Sequence, residues 1–314
     1  MIARPWLEQT ARRLEKSVFP PVGVALETLK AVRARVQIAS FQQRVRVVQR
    51  FPERFAEQRR PKVLAVVTHL SDPGRPAGVS VERLERTLDG LIESLGHTQL
   101  ALVLNTLPER HVVASLPEHQ RSRLEVRERI VADPMFLGFE AQGEFVDRLE
   151  DFDWFLYLED DLILGDGLLL EKLAFFNRGA PPEALLLPHR YEFWNGRKTY
   201  IDLSSKAKLD FEWNRLTVIE TMGWKFAEFD NPHSGWYCLS REQLGRWLDT
   251  GRHWYGLCSY YGPRESAATG CLAEAFRLYK PHPENMSYLE IRHLDTKYAE
   301  LYARIHHLEQ AEGD

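Results

Sequence analysis

The sequence predicts an α/β protein: a mainly parallel sheet flanked by helices. Three observations carry that prediction. Short apolar runs rich in Val and Leu recur after Pro61, each the length of a buried strand. Segments with apolar residues at helical spacing lie between them. The densest cluster of acidic side chains directly follows one of these runs, where a parallel sheet presents its carboxyl edge to ligands.

The first strand is Lys62–Thr68, five apolar residues between Lys62 and Thr68, closed by a loop holding Pro73, Gly74, Pro76 and Gly78. Ser80 is positioned to cap a helix whose Val81, Leu84, Leu88, Leu91, Ile92 and Leu95 share a face, with Gly96 as its stop. Gln99–Asn105 reads as the second strand, closed by Pro108. Residues 109–150 are charged and partly helical in pattern. Trp154–Leu158 is the third strand, Ala184–Leu187 the fourth and Trp236–Leu239 the fifth. Ser240 and Gln243 make a capping box for a helix that Gly251 ends. Residues 265–279 read as a last core helix through Leu272, Ala275, Phe276 and Tyr279.

Composition narrows the function classes. Of 314 residues, 44% are hydrophobic and 27% charged, which excludes a mainly disordered chain. A net charge of −4 argues against a surface built to grip nucleic acid. The three cysteines, Cys238, Cys258 and Cys271, make neither a disulfide framework nor a paired CxxC zinc site, so they read as inert core residues of a cytoplasmic protein. No run approaches the roughly 20 apolar residues of a spanning helix. The charge is uneven, however: residues 1–60 carry +8 and the remainder −12. Residues 1–58 are therefore expected to be a basic helical arm, and 59–314 the main domain. Val24, Leu26, Leu29, Val32 and Val36 alternate in that arm with Lys30, Arg33 and Arg35. Such a segment packs on its own domain or a second subunit, or lies peripherally on an anionic membrane.

The chemistry gathers behind the third strand. Glu159, Asp160 and Asp161 follow its apolar run, and in extended chain Glu159 and Asp161 point one way and Asp160 the other. Adjacent carboxylates repel, and a bound cation relieves the repulsion; hard oxygen ligands suit Mg²⁺ or Mn²⁺ with phosphate oxygens completing the shell. The plain alternative is a solvated acidic turn. His189 and Arg190 follow the fourth strand, positioned to face the same cleft. Tyr191 and Trp194 are candidates for a sugar-stacking platform or for core. No P-loop, GxGxxG or GxSxG motif is present.

An apolar strand ending in Glu159-Asp160-Asp161 resembles the DxD-type motif of GT-A nucleotide-sugar glycosyltransferases, in an ExD form. The order of the other pieces is similar. Thr68 and His69 end the first strand. The segment Asn231–Ser240, with His233, Ser234 and Gly235, resembles the acceptor-side loop and strand. Pro263-Arg264-Glu265 resembles the acidic loop of inverting members, with one carboxylate where relatives often have two. His293 stands where many members carry a late metal-binding histidine. The resemblance spans about residues 61–295 and reaches the class rather than a named family.

It implies a GT-A-like (Rossmann-like) fold, a nucleotide-sugar donor, and a glycan, lipid or small-molecule acceptor. It also implies Mn²⁺ or Mg²⁺ held by Asp161 and His293. Donor contacts fall on Thr68, His69, Asn105, Glu159, Asp160, His233, Ser234 and Gly235. With inversion as the reading taken, Glu265 is the base; Glu265 equally suits a helix start, where a carboxylate favours the dipole. Two rivals stand beside this reading: a metal-dependent nucleotidyltransferase or phosphotransferase, and a non-enzymatic Ca²⁺-binding interaction protein.

Overall fold

The computed structural model describes residues 60–312, apart from Arg75, 204–216, Asp230, Pro232 and 253–261. The arm predicted over 1–58, and Cys258, lie outside the described residues.

Among the described residues, thirteen strands and seven α-helices follow in chain order. The first half holds β1 (Lys62–Thr68), α1 (Ala77–Leu95), β2 (Gln99–Thr106), α2 (Glu118–Arg121), β3 (Leu124–Glu128), α3 (Glu140–Asp147) and β4 (Trp154–Glu159). Then come β5 (Leu162–Ile163), α4 (Leu169–Gly179), β6 (Ala184–Leu186), β7 (His189–Trp194), β8 (Arg197–Tyr200), β9 (Val218–Thr221), β10 (Trp224–Glu228) and β11 (Trp236–Ser240). The chain closes with α5 (Arg241–Asp249), α6 (Pro263–Ala268), β12 (Arg277–Pro281), β13 (Glu290–His293) and α7 (Lys297–Glu312).

The central sheet has the order β11-β4-β1-β2-β3, parallel from β4 to β3 with β11 antiparallel at the edge. The class is the α/β one the sequence predicts, with a mixed sheet. Two four-stranded sheets, β6-β12-β10-β9 and β5-β13-β7-β8, complete the described structure. Val63 to Val67 are fully buried, as is expected of a parallel strand covered on both faces. Register sets the site: Thr68 pairs with Asn105 on one side and with Glu159 on the other, so three strands end in one row.

Helix α1 pins the acidic turn to that row. Thr87 Oγ1 donates to the Asp160 carbonyl at 2.9 Å, and Ser94 Oγ to the Leu164 carbonyl at 3.1 Å. Gly90 lies between them: a Cβ there would come 2.6 Å from the Leu164 carbonyl oxygen, so glycine is what lets the helix close on the loop. The Ser240–Gln243 capping box forms as expected, and Gly251 ends that turn at φ +66°.

Several expectations fail for identifiable reasons. Ala184–Leu186 joins β12 rather than the central sheet. The helix expected over 265–279 stops at Ala268. Thr269 leaves the helical region (φ −154°, ψ −45°), a short 3₁₀ turn follows, and Tyr279 belongs to β12, paired with β6 and β10. Helix α1 starts at Ala77, so Ser80 is interior rather than a cap. Cys238 is a buried free thiol, but Cys271 is disulfide-bonded, against the expectation of three inert thiols. Among the described residues no helix is long and apolar enough to cross a membrane.

Candidate functional site

The carboxyl ends of β1 and β4 open into a cleft lined by Thr68, Tyr157, Glu159, Asp160, Asp161 and Arg264, among others. The triplet splits as the strand alternation requires. Asp160 turns to His69, whose fully buried ring places Nδ1 2.5 Å from Asp160 Oδ2. Asp161 turns to His293, with Oδ2 3.4 Å from Nε2, and to Arg83 at 3.9 Å. His293 is held from behind by Glu192, whose Oε1 lies 2.7 Å from Nδ1.

Electrostatics separate the acids. Burial and the neighbouring Asp161 charge push Glu159 up to about 7, against the pull of Arg190. Burial also works against the charge on Asp161, but the His293 bond and the Arg190 and Arg83 cations outweigh it and hold its carboxyl below the usual range. His293 is pushed up to about 9: burial opposes the charged ring, and the bonds to Asp161 and Glu192 overcome it. Beneath them sits Arg190, buried and bound by both oxygens of Asp202 at 2.6 and 2.8 Å.

Polar atoms without partners mark where a ligand would bind. His69 Nε2, Asn105 Nδ2 and Asp161 Oδ1 are all buried and unbonded, while the Thr68 side chain bonds Tyr157. Buried polar atoms are nearly always satisfied, so three on neighbouring strand ends are an exception that a ligand or ordered water would resolve. Asn105 Oδ1 is taken by Arg129 Nε at 3.1 Å, which leaves its amide donors to the unbonded side.

Asp161 and His293 offer a divalent cation two donors: a carboxylate with one uncommitted buried oxygen, and an imidazole nitrogen that would give up the proton it now shares with Asp161. Among the described residues no three His, Cys, Asp or Glu side chains form a ready-made cage. A cation here would take its remaining ligands from water or from a substrate's phosphate oxygens, as Mg²⁺ and Mn²⁺ sites commonly do.

The other predicted residues divide. Gly235 adopts φ +62°, and a Cβ on it would stand 2.6 Å from Glu159 Oε2. Gly235→Ala should therefore lower stability by about 2–4 kcal/mol, from the left-handed backbone plus the clash, and should weaken nucleotide binding in parallel. Chemical denaturation and titration of the same sample check both; an alanine variant as stable as the parent would remove Gly235 from the site. Ser234 spends its hydroxyl on the Trp236 carbonyl at 2.8 Å. The His233 ring is pushed down to about 3, by burial first and then by Arg190 and Lys280 against the pull of Asp202, and its buried Nδ1 is unbonded. Glu265 does not line the cleft. Its Oε2 folds back to 2.7 Å from where a Gly262 Cβ would be, and the exposed Arg264 lines the cleft instead. His189 Nε2 bonds the Pro281 carbonyl at 2.7 Å, and Tyr191 stacks with Lys198 (4.2 Å) away from the cleft. Glu192, Asp202, Arg83 and Arg264 do not stand out in the sequence, where each reads as an ordinary surface charge.

No protein-family model matches the chain, and no curated protein matches it. Solved structures do. A mannose-1-phosphate geranyltransferase from Thermus thermophilus is 13% identical, over 70% of this chain and 73% of that one, with a TM-score of 0.37. S. aureus TarS 1–349 is 11% identical, over 78% and 64%, with a TM-score of 0.42. The galactosyltransferase LgtC, in complex with donor and acceptor sugar analogs, is 8% identical, over 70% and 72%, with a TM-score of 0.36.

Proposed function

We propose that the chain is a metal-dependent glycosyltransferase that moves a sugar from a nucleotide-sugar donor to an acceptor hydroxyl. One observation carries the reading: a carboxylate–imidazole pair, an uncommitted buried carboxylate oxygen and a cleft arginine meet at the carboxyl ends of parallel strands, beside the Thr68 hydroxyl and an unbonded amide donor on Asn105. When bound at Asp161 and His293, a divalent cation would offset charge on the leaving diphosphate. Arg264 supplies charge-assisted hydrogen bonds to phosphate oxygens. The Thr68 hydroxyl and Asn105 amide orient the nucleoside, and the His69–Asp160 pair fixes the edge of that pocket. An imidazole in the ligand set counts against the Ca²⁺-binding alternative, since Ca²⁺ takes six to eight oxygens.

Thermal shift with Mn²⁺ and a panel of nucleoside diphosphates, triphosphates and nucleotide sugars tests this. A ligand at about 100 times its Kd should raise Tm by about 5–10 °C. The expected responders are one nucleoside diphosphate and its sugar conjugates. A response to triphosphates alone would favour the nucleotidyltransferase reading, and a response to Ca²⁺ alone the binding protein.

Inversion with Glu265 as base is part of the proposal. Glu265 sits one residue beyond Arg264, half-buried at the first turn of α6, and must turn away from Gly262 to reach an acceptor. Glu265→Gln should lower transfer about 10²–10⁴-fold and leave donor binding unchanged. An unaltered rate would assign Glu265 to the helix start alone.

A further inference from the structure

We propose that Glu192 is the positioning residue that makes His293 a metal ligand: it fixes the ring so that Nε2, and not Nδ1, faces Asp161. The inference rests on the metal-dependent reading and adds to it a residue that does not touch the metal.

Glu192 is fully buried on β7, next to β13, which carries His293. An ionised carboxylate can only accept hydrogen bonds. Oε1 takes His293 Nδ1 at 2.7 Å and Oε2 takes the Ala299 backbone N–H at 2.7 Å. The first bond places a proton on Nδ1 and directs Nε2 to Asp161 Oδ2, 3.4 Å away, beside the unbonded Oδ1. The second bond anchors the carboxylate. Ala299 lies in the first turn of α7, where backbone N–H groups lack partners within the helix, so one of them is free to hold Glu192 in place. Histidines that ligate metals nearly always donate their second N–H to such an acceptor, which sets ring angle and tautomer.

Gln cannot replace Glu here. Two donors face this side chain, and an amide offers one acceptor oxygen and a donor group, so either His293 or Ala299 loses its partner. Glu192→Gln preserves volume while removing that double acceptance.

The test measures Mn²⁺ binding to the full chain, alone and with UDP or GDP, by electron paramagnetic resonance. In the wild type, spin-echo modulation should report one ¹⁴N ligand, absent in His293→Ala. Glu192→Gln should bind Mn²⁺ about 10–100-fold more weakly with the nitrogen signal reduced. In a His293→Ala background the same substitution should cost nothing further, because Glu192 acts only through the ring. Wild-type affinity and nitrogen signal in Glu192→Gln would overturn the proposal. So would an equal loss in the His293→Ala background, which would mark Glu192 as support for the fold alone. A wild type that binds no Mn²⁺ under any of these conditions overturns the metal reading first, and the role of Glu192 with it. Should Glu192→Gln not fold, [¹⁵N]histidine NMR of the wild type with Mg²⁺ and UDP or GDP decides: the Nδ1–H tautomer of His293 supports the proposal, and the Nε2–H tautomer or a ring that keeps both protons overturns it.

Discussion

Asp161→Asn should abolish metal-dependent binding of a nucleoside diphosphate, weakening it by more than about 100-fold. Loss of a residue that merely supports a ligand costs about 10–100-fold, and Asp161 is the ligand itself in the proposed site. The amide also removes the charge that attracts the cation. The same variant should be less stable than the parent without metal. From sequence alone the opposite is expected, because three adjacent acids repel and neutralising one relieves them. The surroundings reverse the sign. Asp161 faces His293 at 3.4 Å and Arg83 at 3.9 Å, and Arg190 lies close enough to help hold its carboxyl low. Attraction to these cations exceeds repulsion from Glu159, so the native state favours the charged form. The expected loss is about 1–2 kcal/mol, on the scale of a hydrogen bond to a charged group. Glu159 should respond the other way: its carboxyl, now near 7, should titrate lower once the Asp161 charge is gone. Calorimetric titration with and without Mn²⁺, together with urea denaturation, reads both effects. Unaltered nucleotide and metal binding would make the triplet a solvated turn.

What the sequence discloses follows from how each element is buried. Val63 to Val67 and Phe155 to Leu158 are covered on both faces and read as unbroken apolar runs, so the central strands and the acids behind β4 are legible. Strand β3 is not. Its sequence, LEVRE, is that of a half-exposed edge whose charges pair with Glu144 and Arg148, and it looks like loop. Strand β7 is inverted relative to its pattern: Arg190 and Glu192 are buried while Phe193 is 40% exposed. A buried acid and a surface acid are the same letter. Only pairing distinguishes them, and the partners, Asp202, His293 and Ala299, are 12, 101 and 107 residues away. Helical spacing misleads at 265–279 because Leu272, Ala275, Phe276 and Tyr279 are on a 3.6-residue period by coincidence, with Tyr279 in a strand. The sequence gives no sign that Arg264 rather than its neighbour Glu265 lines the cleft, because one residue of rotation at a helix start decides which side chain faces it.

Asp202→Asn should cost about 3 kcal/mol of stability, the low end of the 3–5 expected when one half of a buried ion pair is removed. Arg190 and Asp202 are each 5% exposed and joined by two hydrogen bonds. Asparagine can accept only one of them and leaves the guanidinium charge unanswered on that side. The loss is not larger because Glu159 and Asp161 also act on Arg190. For a domain of this size, 3 kcal/mol lowers Tm by about 6–12 °C. The pH dependence identifies the cause. Burial raises the Asp202 carboxyl, but Arg190, by charge and by hydrogen bond, then Lys280 and His233, bring it far below the usual carboxylate range. A carboxyl held low in the folded state contributes stability that is fully present above its unfolded pKa of about 4 and is lost as pH falls below it. The wild type and Asp202→Asn should therefore differ most at neutral pH, and their stability curves should draw together below about pH 4. A gap that stays constant down to about pH 2.5, well below that unfolded pKa, would mean that the substitution acts through packing, and that Arg190 keeps its place under the acids without Asp202.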